Sequence, residues 1–346
     1  MTQVQSLASY LSGWAGLRPA RKAVAATVSA LAGVGAEIAE LVGQGALAGP
    51  LGRATGKRGE VDEQKEIDVL ANDRIVATLR SAPVAAVASE EMEGPLLLDE
   101  KAPLLVAVDP LDGSSNIDTN ASIGTVFTVL PALQHNAEPS AFLQPGVNQL
   151  AGGFLVYGPQ TVLVASVGAG TQIFTLDRRT ATFVLTHPKV EIPLRTSEYA
   201  VNDSNSRHWD EPVRTYVEDC RRGKEGPRGR DFNMRWTGSP VADIYRILSR
   251  GGIYLYPSDK RREFRNGRLR LIYEANPIAW VVEQAGGAAS TGRERVLEIV
   301  PTSLHQRVPV VAGSRYEVEH VMRLHDGLQI RGERSPLFSR RGLLRF

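Results

Sequence analysis

The sequence predicts a mixed α/β fold, made of two halves that meet near residues 188–200. Three observations carry this reading. Apolar residues recur at helical spacing in residues 20–47 and 65–79. Short apolar runs bounded by turn residues follow from Val84 to Val167. Beyond Ile192 the pattern changes, and helical and extended stretches alternate again. At 346 residues the chain suffices for one large domain or two ordinary ones, each with a real core. The organisation read from it is an N-terminal half (1–192), a C-terminal half (193–330) and a basic tail (331–346).

The elements follow in order. Ala20 to Leu47 is rich in Ala, Val, Leu and Ile, and predicts one helix, or two broken at Gly33 and Gly35. Gly49 to Glu60 is glycine-rich and basic and reads as a mobile loop, reaching to about residue 66. Ile67, Leu70, Ile75 and Leu79 mark a helix over Lys65–Leu79. Val84 to Ala88 and Leu104 to Val108 are buried strands that end at Ser89-Glu90-Glu91 and Asp109-Pro110. Ile123 to Leu130 and Gly153 to Val167 alternate with turns, as hairpins do. Helices are expected over Pro212–Arg222 and Val241–Ser249, and strands over Ile253–Tyr256 and Arg268–Tyr273. A last helix, Pro277 to Ala285, stops at Gly286-Gly287.

Composition narrows the function. The apolar fraction is 42% and the charged fraction 23%, ordinary for a soluble globular chain. A formal net charge of +2 gives no case for nucleic acid. No window holds 18 uninterrupted apolar residues, so no membrane span is expected. The N-terminus lacks a basic region followed by an apolar core, which argues against a secretory signal. The single cysteine, Cys220, forms no internal disulfide, and a reducing cytoplasm fits. His320 and His325 read as surface residues.

The chemistry concentrates at strand ends. A buried strand delivers Asp109, and Pro110 has no amide hydrogen with which to continue a ladder. Asp112 follows, expected near a helix N-terminus, and Gly113, Ser114 and Ser115 leave backbone amides open for a phosphate. Glu90 and Glu91 end another strand. If the two strands are parallel neighbours, all these acids meet at one crevice edge. Asp62 and Asp68 precede that strand, and Glu274 lies between a later strand and helix. Each could also be a solvated or helix-capping carboxylate. Together they form an all-oxygen donor set without a spaced histidine pair, which favours magnesium, with manganese as the alternative.

The string Asp109-Pro110-Leu111-Asp112-Gly113-Ser114-Ser115-Asn116-Ile117-Asp118 resembles the signature of class I fructose-1,6-bisphosphatase, within the lithium-sensitive, inositol-monophosphatase-like superfamily. The resemblance extends to Ile67–Asp73, Ser89-Glu90-Glu91, Gly251–Pro257, Arg268–Pro277, Glu283–Gly287 and Arg334–Phe338. It implies a sugar-phosphatase fold, a layered α-β-α-β-α sandwich, and a cytoplasmic, magnesium-dependent homotetramer. It implies hydrolysis of the C1 phosphate of D-fructose 1,6-bisphosphate by metal-activated water, in gluconeogenesis or the Calvin cycle. Sedoheptulose 1,7-bisphosphate is the alternative substrate, and a non-catalytic phosphosugar-binding regulator a remoter reading.

The resemblance assigns metal binding to Glu90, Asp109, Asp112, Glu274 and the Leu111 carbonyl, with Asp62 joining when its loop closes. Asp68 and Glu91 would polarise the attacking water, and the Gly113–Ser115 amides would hold the reacting phosphate. Asn202, Arg235, Tyr256 and Arg268 would grip the second phosphate, with Arg235 supplied by a neighbouring subunit. Departures bear on substrate preference. Arg268 stands where many members have lysine, Asn205 and Trp236 where many have tyrosine, and Pro240 where an amide would contact the sugar. Pro103-Leu104 replaces the Lys-Tyr pair of AMP-inhibited members, and a single cysteine excludes the plastid type of thiol switch.

Overall fold

The computed structural model describes residues 5–48, 54–58, 63–133 and 136–333. The chain opens with helices α1 (Leu7–Ala15) and α2 (Pro19–Gln44), followed by a two-stranded ribbon of β1 (Ala54–Arg58) and β2 (Glu63–Lys65). Helix α3 (Glu66–Leu79) leads into the larger sheet. Its strands are β3 (Val84–Ser89), β4 (Leu96–Leu97), β5 (Leu104–Asp112), β6 (Ile123–Pro131), β7 (Ala151–Tyr157), β8 (Thr161–Ser166), β9 (Gln172–Asp177) and β10 (Thr182–His187). They lie in the order β10-β9-β8-β7-β6-β5-β3-β4, antiparallel except for the β3–β5 pair.

The rest of the chain runs β11 (Glu198–Val201), α4 (Glu211–Arg221), β12 (Asn233–Met234), α5 (Pro240–Arg250), β13 (Ile253–Tyr256), β14 (Leu269–Arg270), α6 (Asn276–Gln284), β15 (Ala288–Ser290), β16 (Arg307–Val308), β17 (Val310–Gly313) and α7 (Arg315–Glu333). Strands β12-β11-β13-β17-β15 form the second sheet, and β14 pairs with β16 in a short ribbon.

Period-two alternation sorts the side chains of the larger sheet into two cores. Leu104, Val106 and Val108 of β5 face Leu31, Ile67 and Ile75 of the first helical layer, while Leu105 and Ala107 face the opposite way, toward Phe142 and Tyr273. Further along the sheet, Phe154 and Val164 pack on Ile244, Ile278 and Val281 of α5 and α6, which also meet Tyr254 and Ala312 of the second sheet. The far face of the second sheet packs Val201, Ile253 and Val311 on Val213, Tyr216 and Val318 of α4 and α7. The layers therefore read helix, sheet, helix, sheet, helix, the sandwich expected.

Several local expectations are corrected. Helix α2 runs unbroken through Gly33 and Gly35. A Cβ on Gly35 would lie 2.4 Å from the Leu155 Cδ2 atom, so this glycine permits close helix–sheet approach rather than a break. By length and composition α2 could cross a membrane, but Val24, Val28, Leu31 and Ile38 are buried in the core. Strand β5 continues past Pro110, because a register shift between Asp109 and Asp112 accommodates the proline opposite β6. Thr125 Oγ1 donates to the Pro110 carbonyl at 2.7 Å. No α-helix follows Asp112; Ser114–Thr119 is one short 3-10 segment. The strand expected over Arg268–Tyr273 is only β14, succeeded by a π-helical turn, Leu271–Ala275. His325 is buried and His320 half-buried under α4, not surface residues. The tail after Glu333 lies outside the described residues, as do residues 49–53 and 59–62 of the expected loop.

Candidate active site

The parallel pairing of β3 and β5 sets Ser89 beside Val108, so the residues that follow, Glu90 just past β3 and Asp109 within β5, fall side by side. The Glu90 amide donates to the Val108 carbonyl at 3.0 Å and locks that register. Asp109 Oδ1 accepts from the Leu111 amide at 3.0 Å, a tight turn that carries the chain to Asp112. Asp112 Oδ2 accepts from the Val241 amide at 3.0 Å, in the first turn of α5. Pro240 leads that helix and has no amide to offer. Glu274 arrives on the π-turn, whose geometry returns its Oε2 to the Arg270 amide at 2.6 Å. Such turns recur at functional sites.

Asp109, Asp112 and Glu274 are all buried and present oxygens within 4.8 Å of one another. Burial is the first cause that raises their carboxyl pKa values, and mutual repulsion adds to it. Asp112 and Glu274 are pushed up to about 7, Glu90 to about 8, and Asp109 well above its ordinary value. Arg270 forms a close ion pair with Glu90. Glu90 Oε2 is buried without a hydrogen-bond partner. Crowded, desolvated carboxylates with an unpartnered oxygen are what a hard divalent cation satisfies, and the donor set fits one.

Asp68 approaches from α3. Its Oδ2 accepts from the Lys65 amide at 2.7 Å and from Ser114 Oγ at 3.4 Å. Burial raises its carboxyl to about 6, against the Lys65 hydrogen bond and with a further push from Glu91. Gly113 takes the left-handed backbone (φ 76°), and an added Cβ would stand 3.1 Å from Ser239 Oγ, so glycine is required at this turn.

These residues line one cleft of about 470 Å³. Asp68, Glu90, Glu91, Asp109, Leu111, Asp112, Gly113, Ser114, Ser115 and Glu274 line it, and so do Tyr256 and Arg268. Asn202 and Arg235 do not line it within this chain: Asn202 follows β11, and Arg235 is exposed beyond the edge strand β12. Asp62 lies outside the described residues. Sequence reasoning missed Arg270, His305 and Arg307, which also line the cleft. Arg270 and Arg307 enter on the β14–β16 ribbon and His305 just before β16, a pairing across the chain that leaves no local signal. Arg270 alone had a clue, since it sits four residues before Glu274 in a string already singled out.

A helix–sheet sandwich with one cleft lined by both a carboxylate cluster and arginines fits a sugar-phosphatase type of protein. The comparisons make this specific. The family model for "Fructose-1-6-bisphosphatase, N-terminal domain" matches residues 16–188, and that for the C-terminal domain matches residues 192–326. The chain therefore belongs to the fructose-1,6-bisphosphatase family. It is 57% identical over 320 residues to a class 1 fructose-1,6-bisphosphatase of Azorhizobium caulinodans, covering 91% of this chain and 98% of that one. A class 1 relative from Rhodopseudomonas palustris is 51% identical over 346 residues and covers 100% of both chains. The crystal structure of Leishmania major fructose-1,6-bisphosphatase in holo form aligns with a TM-score of 0.86 at 34% identity, over 93% of this chain and 99% of that one.

Proposed function

We infer that this chain hydrolyses D-fructose 1,6-bisphosphate at the C1 phosphate, giving fructose 6-phosphate and inorganic phosphate. It acts as a phosphoric monoester hydrolase. The observation that carries the reading is the shared cleft: a buried acidic cluster and the arginine Arg268 line one cavity of a chain from this family.

Glu90, Asp109, Asp112, Glu274 and the Leu111 carbonyl would hold magnesium, with manganese as the alternative, and Asp62 would add a ligand from its loop. When bound, the cation supplies Lewis-acid stabilisation of the phosphoryl oxygens and lowers the pKa of water. Amides of Gly113 to Ser115 hold the reacting phosphate. Asp68, with Glu91 beside it, takes the proton of a water that attacks phosphorus in line. The phosphorus–oxygen bond to C1 breaks, and that oxygen takes a proton from solvent and leaves as the sugar hydroxyl, while Asp68 returns the water's proton to solvent. A carboxyl poised near 6 suits this base, since it is ionised at neutral pH yet retains proton affinity. Among the described residues no cysteine lines the cleft, and its histidine, His305, has Nε2 engaged with the Met92 carbonyl at 3.0 Å, which favours direct attack over a phosphoenzyme.

Tyr256 and Arg268 hold the distal phosphate, joined by Asn202 and by Arg235 from a neighbouring subunit of a homotetramer. Arginine forks match phosphate oxygens. Size-exclusion chromatography with light scattering tests the assembly, and a monomer contradicts the Arg235 role. Phosphate release with fructose 1,6-bisphosphate beside sedoheptulose 1,7-bisphosphate tests the substrate. Faster release from the seven-carbon sugar would overturn the assignment of fructose as the preferred one.

A further inference from the structure

Arg268 lines the cleft, and its charged neighbours, Asp259 and Arg261, do not. Asp259 is 6% exposed and lies between two arginines. Arg261 takes its carboxylate as a fork: Nε donates to Oδ1 at 3.1 Å and to Oδ2 at 3.2 Å, and Nη2 donates to Oδ2. The Arg261 amide donates to Oδ1 at 2.9 Å. Arg268, which does line the cleft, stands 3.9 Å from the same Oδ2. Both guanidinium groups lie against the Phe264 ring, Arg261 at 4.6 Å and Arg268 at 3.5 Å from its centroid. Arg261 Nη2 also donates to Asn205 Oδ1 at 2.9 Å, which fixes the plane of the fork.

One buried carboxylate cannot neutralise two guanidinium groups. Which arginine it pairs with decides which keeps its charge for a ligand. Short, forked contacts are far stronger than one at 3.9 Å. We propose that Arg261 is a positioning residue for the distal phosphate: it engages Asp259 and so leaves the Arg268 guanidinium for the substrate. The proposal rests on the sugar-bisphosphatase reading above. Without Arg261, the Asp259 carboxylate closes on Arg268, and the distal phosphate meets a neutralised pair.

The test is steady-state phosphate release from fructose 1,6-bisphosphate and fructose 1-phosphate. The proteins are wild type, Arg261→Ala, Arg261→Lys and the double variant Arg261→Ala, Asp259→Asn. Arg261→Ala is expected to raise KM for the bisphosphate about tenfold, with kcat changed less than about twofold. The preference for bisphosphate over monophosphate, as a ratio of kcat/KM, falls by about the same factor. Arg261→Lys, which keeps a cation on Asp259, gives an intermediate KM. The double variant recovers KM to within about threefold of wild type, because the carboxylate that captures Arg268 is gone. A purely structural loss would not be rescued by a second substitution. A KM in Arg261→Ala within about twofold of wild type, or a double variant no better than the single one, overturns the role of Arg261. A wild type that releases no phosphate from the bisphosphate overturns instead the reading on which the proposal rests.

Discussion

The Asp112 carboxylate accepts a 3.0 Å hydrogen bond from the Val241 amide, 129 residues further along the chain. One candidate metal ligand of the larger sheet is thus seated on the first turn of a helix that packs against both sheets. Substitution Asp112→Asn retains an oxygen for that amide but removes the charge. The variant is expected to fold with a metal-free melting temperature no lower than wild type, since a buried, crowded charge is gone. Its magnesium-dependent turnover falls by more than ~100-fold. Thermal melts with and without chelator, beside phosphate-release kinetics, check both halves of this prediction.

As the proposed base, Asp68 is expected to set the acid limb of the pH profile once a bound cation keeps Glu90, Asp112 and Glu274 ionised. Burial raises its carboxyl from 3.8 to about 6. Below that pH it is protonated and cannot accept the water proton, so kcat/KM falls about tenfold per unit as pH drops further. Glu91 contributes to the upward shift. The residual activity of Glu91→Gln is therefore expected to show an acid limb displaced to lower pH. A limb that stays in place, or moves up, contradicts the electrostatic link.

Glu317 is the anchor between α4 and α7. It is 0% exposed and accepts from Tyr216 Oη at 2.8 Å, Arg228 Nη2 at 2.5 Å and Arg230 Nη2 at 3.1 Å. Glu317→Gln removes one partner from a buried ionic group and leaves two guanidinium groups without their counter-charge. The expected loss is ~3–5 kcal/mol in urea unfolding. An unchanged midpoint would mean that solvent already screens the cluster.

Gly124 faces Asp112 across the β5–β6 ladder. An added Cβ would come within 2.0 Å of the Leu155 carbonyl oxygen and 2.8 Å of Val241 Cγ2. Gly124→Ala must therefore displace backbone next to the acidic cluster. Stability is expected to fall by ~1–3 kcal/mol or more. Magnesium activation weakens in the same variant, a paired outcome that calorimetry and a magnesium titration check together.

The layered fold was largely legible, because burial on both faces makes β5 a continuous apolar run and burial on one face gives α3 helical spacing. The acids at strand ends were legible for the same reason: a polar residue directly after an apolar run marks the edge of a sheet. What was not legible depended on contacts distant in sequence. Gly35 looked like a helix break, yet it makes room for Leu155. Pro110 looked like the end of a strand, yet a bulge and Thr125 carry the ladder past it. Arg270 and Arg307 reach the cleft through the β14–β16 ribbon and His305 just before β16, and Arg261 reaches Arg268 through a shared carboxylate. No periodicity announces such meetings.

Phosphate release by the purified chain from fructose 1,6-bisphosphate, with magnesium and with chelator, beside Asp112→Ala, tests whether one cleft joins a cation-binding acidic cluster to a phosphate-gripping arginine. The expected result is magnesium-dependent release that chelation abolishes and Asp112→Ala loses by more than ~100-fold. Release that persists in chelator, or survives intact in Asp112→Ala, would contradict it.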